Sequence, residues 1–377
     1  MRKALIFKPA NAIYSKNRLN KSKSDLQSHE IIAFAHILSK YSSYDNIALS
    51  TTIHALDVCG EYVADNITLI DNIPDSIVDI DDYVNECILQ YTANDTLFIM
   101  NGITKLARLA STQQSVLQHV NIAYMHKLIA QFPGRVAYIL TDTRLMLHDI
   151  SIELYAKIDL ITQAKNIVQL KQLLPESLKF KSVTYAPLQY IPLQSYTYRR
   201  MRTNNAQYDI AYTALKMDDL GKYRRQLLLE CFTALRKQGI STMLIADKLP
   251  HDFRATVSHF VKTVKYDQLQ DTVFAAKSQL VIAEYDYEMT QLLPNRIYES
   301  LMNYQMPWIM CTNVKYAAHI QKHTAAPIFF DRHINDLAQS FITYKQQRIT
   351  QFNMNVSVIC ASLDDTTMLL QQLGNAL

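Results

Sequence analysis

The stretch YDIAYTALKMDDLGKYRRQLLLECF, residues 208–232, decides how the rest of the chain is read. Ile210 to Thr213 make a short apolar and aromatic run of strand length, and a loop containing Gly221 follows. From Leu220 to Lys237 the apolar residues return at helical spacing. Strand, loop and helix in that order form the building unit of a parallel sheet. Arg224 falls in the first turns of the helix, where the dipole favours anions, and its neighbour Arg225 points about 100° away around the axis. At most one of the two naturally faces a crevice at the sheet's edge.

The unit recurs in both directions. Downstream, strands are expected at Thr242–Ala246, Leu280–Ala283, Trp308–Cys311 and Ile328–Phe330, with helices near Asp252–Val261, Leu269–Lys277, Leu293–Tyr304 and Ile334–Thr343. Upstream, strands are expected at Ala4–Phe7, Ile47–Ser50, Leu97–Met100, Val136–Leu140 and Ile158–Ile161. Helix patterns lie near Ser28–Lys40, Gln114–Phe132 and Ala164–Leu174. Between the two series, KFKSVTYAPLQYIPLQSYTYRRMRTNNAQ (residues 179–207) carries two prolines and repeated tyrosines with little helical period. It reads as a last strand followed by a linker. The expected organisation is a first α/β domain over residues 1–190, a linker at 191–206, a second α/β domain over 207–350 and a final helix from 351 to 377.

Composition agrees with a globular chain of this kind. At 377 residues it is long for one core, and 49% hydrophobic with 19% charged residues is a globular balance. The apolar run at the N-terminus is too short for a signal peptide and no run of about 18 apolar residues exists, so a cytoplasmic protein is expected. Five scattered cysteines (Cys59, Cys87, Cys231, Cys311 and Cys360) form no Cys-x-x-Cys pair and read as buried free thiols. His319 and His323 lack a companion acid and read as solvated or half-buried, so no metal site is expected. With only six glycines there is no Gly-x-Gly-x-x-Gly and no Walker loop. A bound nucleotide would have to be held by side chains and helix N-termini.

Three segments carry candidate chemistry. In VAYILTDTRLMLHD (136–149) an apolar strand runs straight into Asp142 and Arg144 with no Gly or Pro to turn it. A helix cap is one reading of Asp142; a catalytic carboxylate at a strand's carboxyl end is the other. In LLPNRIYESLMNYQMPWIM (292–310) Pro294 suits a helix start, and Arg296 and Glu299 share one helix face. That pair suits a diphosphate and a ribose, or else an ordinary surface ion pair. Cations interleaved with polar or aromatic residues occur at Lys16, Arg18, Lys21 and Lys23, and again at Arg199, Arg200 and Arg202 beside Tyr196 and Tyr198. They suit a nucleic-acid backbone or a solvated surface. The net charge of +4 decides neither. DIDD (79–82) contains an Asp-x-Asp, a spacing able to hold a metal ion, but reads as a solvated acidic turn.

Taken in order, these pieces resemble the phage DNA β-glucosyltransferases, which move glucose from UDP-glucose onto 5-hydroxymethylcytosine in duplex DNA. LTDTRL (140–145) is similar to the family's acceptor-domain Phe-Thr-Asp-Ile-Arg-Leu, and RIYE (296–299) to its donor motif Arg-Val-Trp-Glu. GKYRR (221–225) falls where a diphosphate arginine follows a glycine-containing turn, and QSHEI (27–31) where a glutamate opens the first helix. The family's Gly-Gly-Ser-Phe-Arg is TALKM here, and GITKLAR stands where its acceptor-loop glycines lie.

The resemblance implies a GT-B architecture, two Rossmann-like domains facing a central cleft, with the C-terminal helix packing back on the first domain. It implies inverting transfer from a UDP-sugar, glucose by default, with Asp142 as general base and Glu30 beside it in the catalytic set. Arg224 and Arg296 would hold the diphosphate and Glu299 the ribose. Mg2+ or Mn2+ could assist product release, although no ligand set is legible. Duplex DNA bearing a hydroxymethylated pyrimidine would meet Lys16, Arg18, Lys21, Lys23, Arg144, Arg199, Arg200 and Arg202, with a monomer acting on a flipped-out base. Two other readings stay open: the same fold with a non-DNA acceptor, and a non-catalytic α/β nucleic-acid-binding protein.

Overall fold

The structure is a computed structural model. It describes residues 1–7, 26–50, 65–70, 79–100, 113–140, 151–188 (apart from 175 and 177), 206–262 (apart from 215 and 216), 275–300 (apart from 295, 298 and 299), 305–346 (apart from 323 and 325), and 371, 373–375 and 377. The chain divides into two compact units, Met1–Ser195 with Thr367–Leu377, and Tyr196–Thr366.

The first unit is built on seven strands: β1 (Lys3–Phe7), β2 (Asn46–Ser50), β3 (Ile67–Ile70), β4 (Thr96–Met100), β5 (Arg135–Leu140), β6 (Ile158–Thr162) and β7 (Ser182–Tyr185). They lie in the order β3-β2-β1-β4-β5-β6-β7, and every pairing is parallel. Runs such as ALIF and TLFIM are buried throughout because a doubly wound sheet is covered on both faces. The register shows which helix covers which face. Ile6 pairs with Phe98 and Phe7 with Ile99, so Phe7 and Phe98 point to opposite sides. Phe34 of α1 (Leu26–Tyr41) meets Phe98 edge-on at 5.3 Å, while Tyr124 of α3 (Gln113–Gln131) meets Phe7 at 5.5 Å. The two helices therefore sandwich the strands.

The amino ends of β1, β4 and β5 are tied together at Asp95. Asp95 accepts from the Lys3 and Thr92 backbone N–H groups at 2.6 and 2.7 Å, and its own carbonyl accepts from the Arg135 N–H. Gly134 is required beside it, since a Cβ there would stand 2.1 Å from the Asp95 carbonyl oxygen. The chain's last residues return to this unit, as the resemblance implies. The Leu377 main-chain oxygen accepts from Tyr44 Oη and Arg135 Nη1, both at 3.2 Å, and Gly374 packs against the backbone of Tyr41.

The second unit repeats the plan with β8 (Tyr208–Thr213), β9 (Thr242–Ala246), β10 (His259–Lys262), β11 (Ala276–Ile282), β12 (Met306–Cys311) and β13 (Ile328–Phe330). The order is β10-β9-β8-β11-β12-β13, again wholly parallel. Its first strand is central and its fourth returns to the opposite flank, so the winding direction switches between β8 and β11. Trp308 of β12 stacks on Phe329 of β13 at 5.6 Å and meets Phe341 and Tyr344 of α8 (Ile334–Lys345), which fixes that helix over the sheet. The same helix packs on α5 (Lys222–Lys237).

Several local expectations are corrected. The helix expected at Asp252–Val261 is a 3-10 turn, His251–Phe253, followed by β10. Pairing with β9 and stacking of His259 on Tyr208 at 4.8 Å outweigh the apparent helical period. Lys277, expected to end a helix, lies within β11. The acidic run DIDD is not a turn alone: Asp81 and Asp82 open α2 (Ile80–Ile88), where exposed carboxylates complement the helix dipole. His319 is buried rather than solvated, on α7 (Val314–Gln321), which Asn313 caps through the Lys315 and Tyr316 N–H groups. α6 (Tyr285–Thr290) is a further helix that the periodicity did not disclose.

Asp209 is the second unit's counterpart of Asp95. It accepts from Ser241 N and Oγ at 2.9 Å and from Lys345 Nζ at 2.8 Å, with Lys277 Nζ at 3.5 Å. Burial pushes its pKa up, but the bonds from Lys345 and Ser241 outweigh burial and hold the carboxyl below its ordinary value. A folded value below the unfolded one, about 3.9, means a stabilisation complete above that pH and lost as pH falls through the folded value. Asp209→Asn should therefore cost about 3 kcal/mol at pH 7, and the deficit should shrink once pH is lowered below the unfolded value. Urea unfolding at both pH values checks this; an equal deficit at both would contradict it.

Candidate functional site

In open α/β sheets, crevices form outside the carboxyl ends of the strands where the winding direction switches. In the second unit that place is bounded by Thr213, which ends β8, and Ile282, which ends β11. β8 leads into α5, whose N-cap is Gly221; a Cβ at Gly221 would meet no atom within 4 Å, so the backbone there is open. β11 leads directly into Glu284, the N-cap residue of α6. Arg296 lies in a helical segment that begins after Pro294, whose carbonyl accepts from the Ile297 N–H.

Two of the expected donor residues come together here. Arg224 on α5 and Arg296 both extend to the ring of Tyr212, with guanidinium carbons 5.9 and 5.8 Å from its centroid. Arg224 Nη1 pairs with Glu284 Oε1, and both side chains are largely buried. Arg296 Nη1 donates to the Thr213 carbonyl, the last of β8. Arg225, one residue on, turns outward to Asp252 with bonds of 2.9 and 3.0 Å on the exposed face. Of the adjacent arginines, Arg224 is thus the one that faces the crevice.

Polar capacity is left over at this point. Arg224 Nε, Tyr212 Oη and Thr213 Oγ1 are buried without a hydrogen-bond partner among the described residues. Buried donors of this kind are costly unless something completes them. Guanidinium groups present a planar fork that matches phosphate or carboxylate oxygens, so the arrangement is suited to a multiply charged oxyanion. The N–H groups of the first turn of α5 add to the same field.

Neighbouring groups do other work. Glu288 is buried and spends both oxygens on Thr312, accepting from its N–H at 2.8 Å and its hydroxyl at 2.6 Å. Tyr223 donates to Asp331 at 2.7 Å; burial and that bond raise its pKa. Cys311 ends β12, but burial, reinforced by the nearby Glu288 charge, pushes its thiol up to about 12. It is no nucleophile at neutral pH. Among the described residues no group of three or more His, Cys, Asp and Glu is arranged to hold a metal ion.

The remaining expected site residues are not brought into this picture. Asp142, Arg144, Glu299, Lys16, Arg18, Lys21, Lys23, Arg199, Arg200 and Arg202 lie outside the described residues. Glu30 lies on α1, with its side chain outside the description. Conversely, Tyr212, Thr213 and Glu284 belong to the site and were not anticipated from the sequence. Glu284 had a usable signal, since LVIAE is an apolar strand running into an acid, the same pattern that marks Asp142.

Two doubly wound parallel sheets of like strand order constitute the GT-B glycosyltransferase fold, and that is the fold class of this chain. No protein-family model matches the sequence, and no curated protein matches it either. The crystal structure of the DNA-modifying enzyme β-glucosyltransferase, determined with and without uridine diphosphoglucose, is similar with a TM-score of 0.61. It is 14% identical, and the match covers 100% of this chain and 98% of that one. A structure of T4 phage β-glucosyltransferase concerned with substrate binding gives a TM-score of 0.57 at 14% identity, and that enzyme with UDP and Mn2+ gives 0.59 at 12%. Both also match over 100% of this chain and 98% of theirs. At such identities the likeness is one of fold.

The buried thiols give a direct check on the site's chemistry. Cys231, on α5, is likewise pushed up to about 12 by burial and the adjacent Glu230 charge. Treating the folded protein with iodoacetamide at pH 8 should leave Cys231 and Cys311 unmodified in peptide mass maps, and denaturant should expose both. Rapid alkylation of Cys311 in the folded state would contradict the assignment.

Proposed function

We propose that the protein is a UDP-sugar-dependent inverting glycosyltransferase, and that its acceptor is the hydroxymethyl group of a modified pyrimidine in duplex DNA. The observation that carries the donor half is the meeting of Arg224 and Arg296 on Tyr212 at the winding switch of the second sheet. Two guanidinium groups at a strand's carboxyl edge suit a nucleoside diphosphate, and the fold shared with the phage enzyme supports UDP-sugar as its source. The acceptor half rests on the LTDTRL and basic-loop resemblance together with that shared fold.

In this reading Asp142 takes the proton of the acceptor hydroxyl as its oxygen attacks the sugar's anomeric carbon. The bond from that carbon to the diphosphate breaks on the opposite face, and the configuration inverts. The departing UDP gains negative charge, which Arg224 and Arg296 neutralise, so they act on the transition state as well as on the bound donor. Glu299 accepts from the ribose hydroxyls, and Glu30 assists at the acceptor side. Glucose is the default sugar. Mg2+ or Mn2+, if bound, would assist the release of UDP. Lys16, Arg18, Lys21, Lys23, Arg144, Arg199, Arg200 and Arg202 would meet the DNA backbone while the target base is flipped out. Among the described residues no helix is long and apolar enough to cross a membrane. A monomer working on phage DNA in the host cytoplasm is the setting that this reading implies.

The test is transfer of label from radiolabelled UDP-glucose, and from other UDP-sugars, to duplexes containing hydroxymethylcytosine, hydroxymethyluracil or only ordinary bases. Label should enter hydroxymethylated duplexes alone, and Asp142→Asn should cut the rate by about 10^2- to 10^4-fold while leaving UDP affinity within about twofold. No transfer from any donor to any modified duplex would sink the acceptor assignment. Full activity in Asp142→Asn would remove that residue from the mechanism.

A further inference from the structure

The pair between Arg224 and Glu284 sets a negative charge beside the diphosphate arginines of the donor site, and its meaning rests on the donor reading proposed for that site. Glu284 is not a distant surface partner. It stands two residues past Ile282, the end of β11, directly across the winding switch from β8, and its carboxylate reaches Arg224 inside the crevice. Arg224 and Glu284 side chains are only 15% and 17% exposed, so water screens their charges weakly. Among the described residues, the Tyr212 ring thus has two guanidinium charges around it with one resident carboxylate beside Arg224, while Arg296 is met by a carbonyl.

A diphosphate entering this space brings further negative charge to a place where Glu284 already supplies one. Arg224 can bind it in two ways. Either the guanidinium keeps Glu284 on Nη1 and offers its unpartnered Nε, with two anions crowded on one cation, or it exchanges Glu284 for the phosphate oxygens. Both cost free energy that an uncharged residue at 284 would not impose. We infer that Glu284 is a built-in competitor of the nucleotide: it neutralises and positions Arg224 in the empty site, opposes diphosphate binding, and helps expel UDP by re-forming its pair after transfer. It is a positioning residue and not a catalytic one, since it acts through Arg224.

Glu284→Gln separates charge from position, because the amide oxygen still accepts from Arg224 Nη1 while the negative charge is gone. Calorimetric titration of wild-type and Glu284→Gln protein with UDP, inorganic pyrophosphate and uridine reads the two apart. The variant should bind UDP and pyrophosphate about tenfold more tightly, the order expected when one nearby charge leaves an anion site. Its affinity for uridine should be unchanged, whereas a merely structural defect would alter all three or weaken UDP. In steady-state transfer, UDP should become a correspondingly stronger product inhibitor. Equal or weaker UDP binding by a variant that unfolds at the wild-type temperature would overturn the inference and leave the donor site standing. A wild-type protein that binds neither UDP nor pyrophosphate would overturn the donor reading and this inference with it.

Discussion

Two positive groups held against one aromatic ring are the constraint on which the second unit's chemistry depends. Arg224 and Arg296 approach the buried Tyr212 from different segments, and like charges brought that close repel unless anions or dipoles meet them. The fold supplies partial answers: Glu284 for one and the Thr213 carbonyl for the other. It can hold the arrangement because β8 is the central strand of the sheet, flanked by β9 and β11. Asp209 fixes its amino end to Lys345 and Ser241. A frame so heavily buried keeps the ring and the strand's last carbonyl in place. The guanidinium groups are then aimed rather than free to seek solvent.

The same winding plan occurs twice. In the first unit the five inner strands end at Phe7, Ser50, Met100, Leu140 and Thr162, all uncharged and buried. In the second unit the corresponding edge gathers Arg224, Arg296 and Glu284 around Tyr212. The C-terminal residues nonetheless fold back to the first unit through Leu377 and Gly374, so the chain's end and its beginning stabilise one core.

Much of the architecture was legible because parallel strands buried on both faces leave continuous apolar runs. LFIM, VAYIL, TMLIA and WIMC each mark a strand to within a residue or two. β3 and β10 escaped notice because four residues make too short a run to stand out, and β10 is also half polar, so their signal comes from pairing and not from composition. α6 and α7 were hidden for a related reason: six and eight residues are too few for a helical period to stand out, and side-chain contacts such as Tyr316 Oη to the Leu292 carbonyl position them. At the site, spacing identified Arg224 and Arg296 as candidates. It could not reveal that they meet on Tyr212, or that Glu284 answers Arg224 from 60 residues away, because those are facts of strand order.

The central claim is that the winding switch of the second sheet is a nucleoside diphosphate site made by Arg224 and Arg296. A crystal structure of the protein with UDP tests it most directly. The account predicts phosphate oxygens within hydrogen-bond distance of both guanidinium groups, with Arg224 Nε taken up and the Arg224–Glu284 pair loosened or broken. UDP bound elsewhere, with that pair and the Arg296 bond to Thr213 undisturbed, would contradict it.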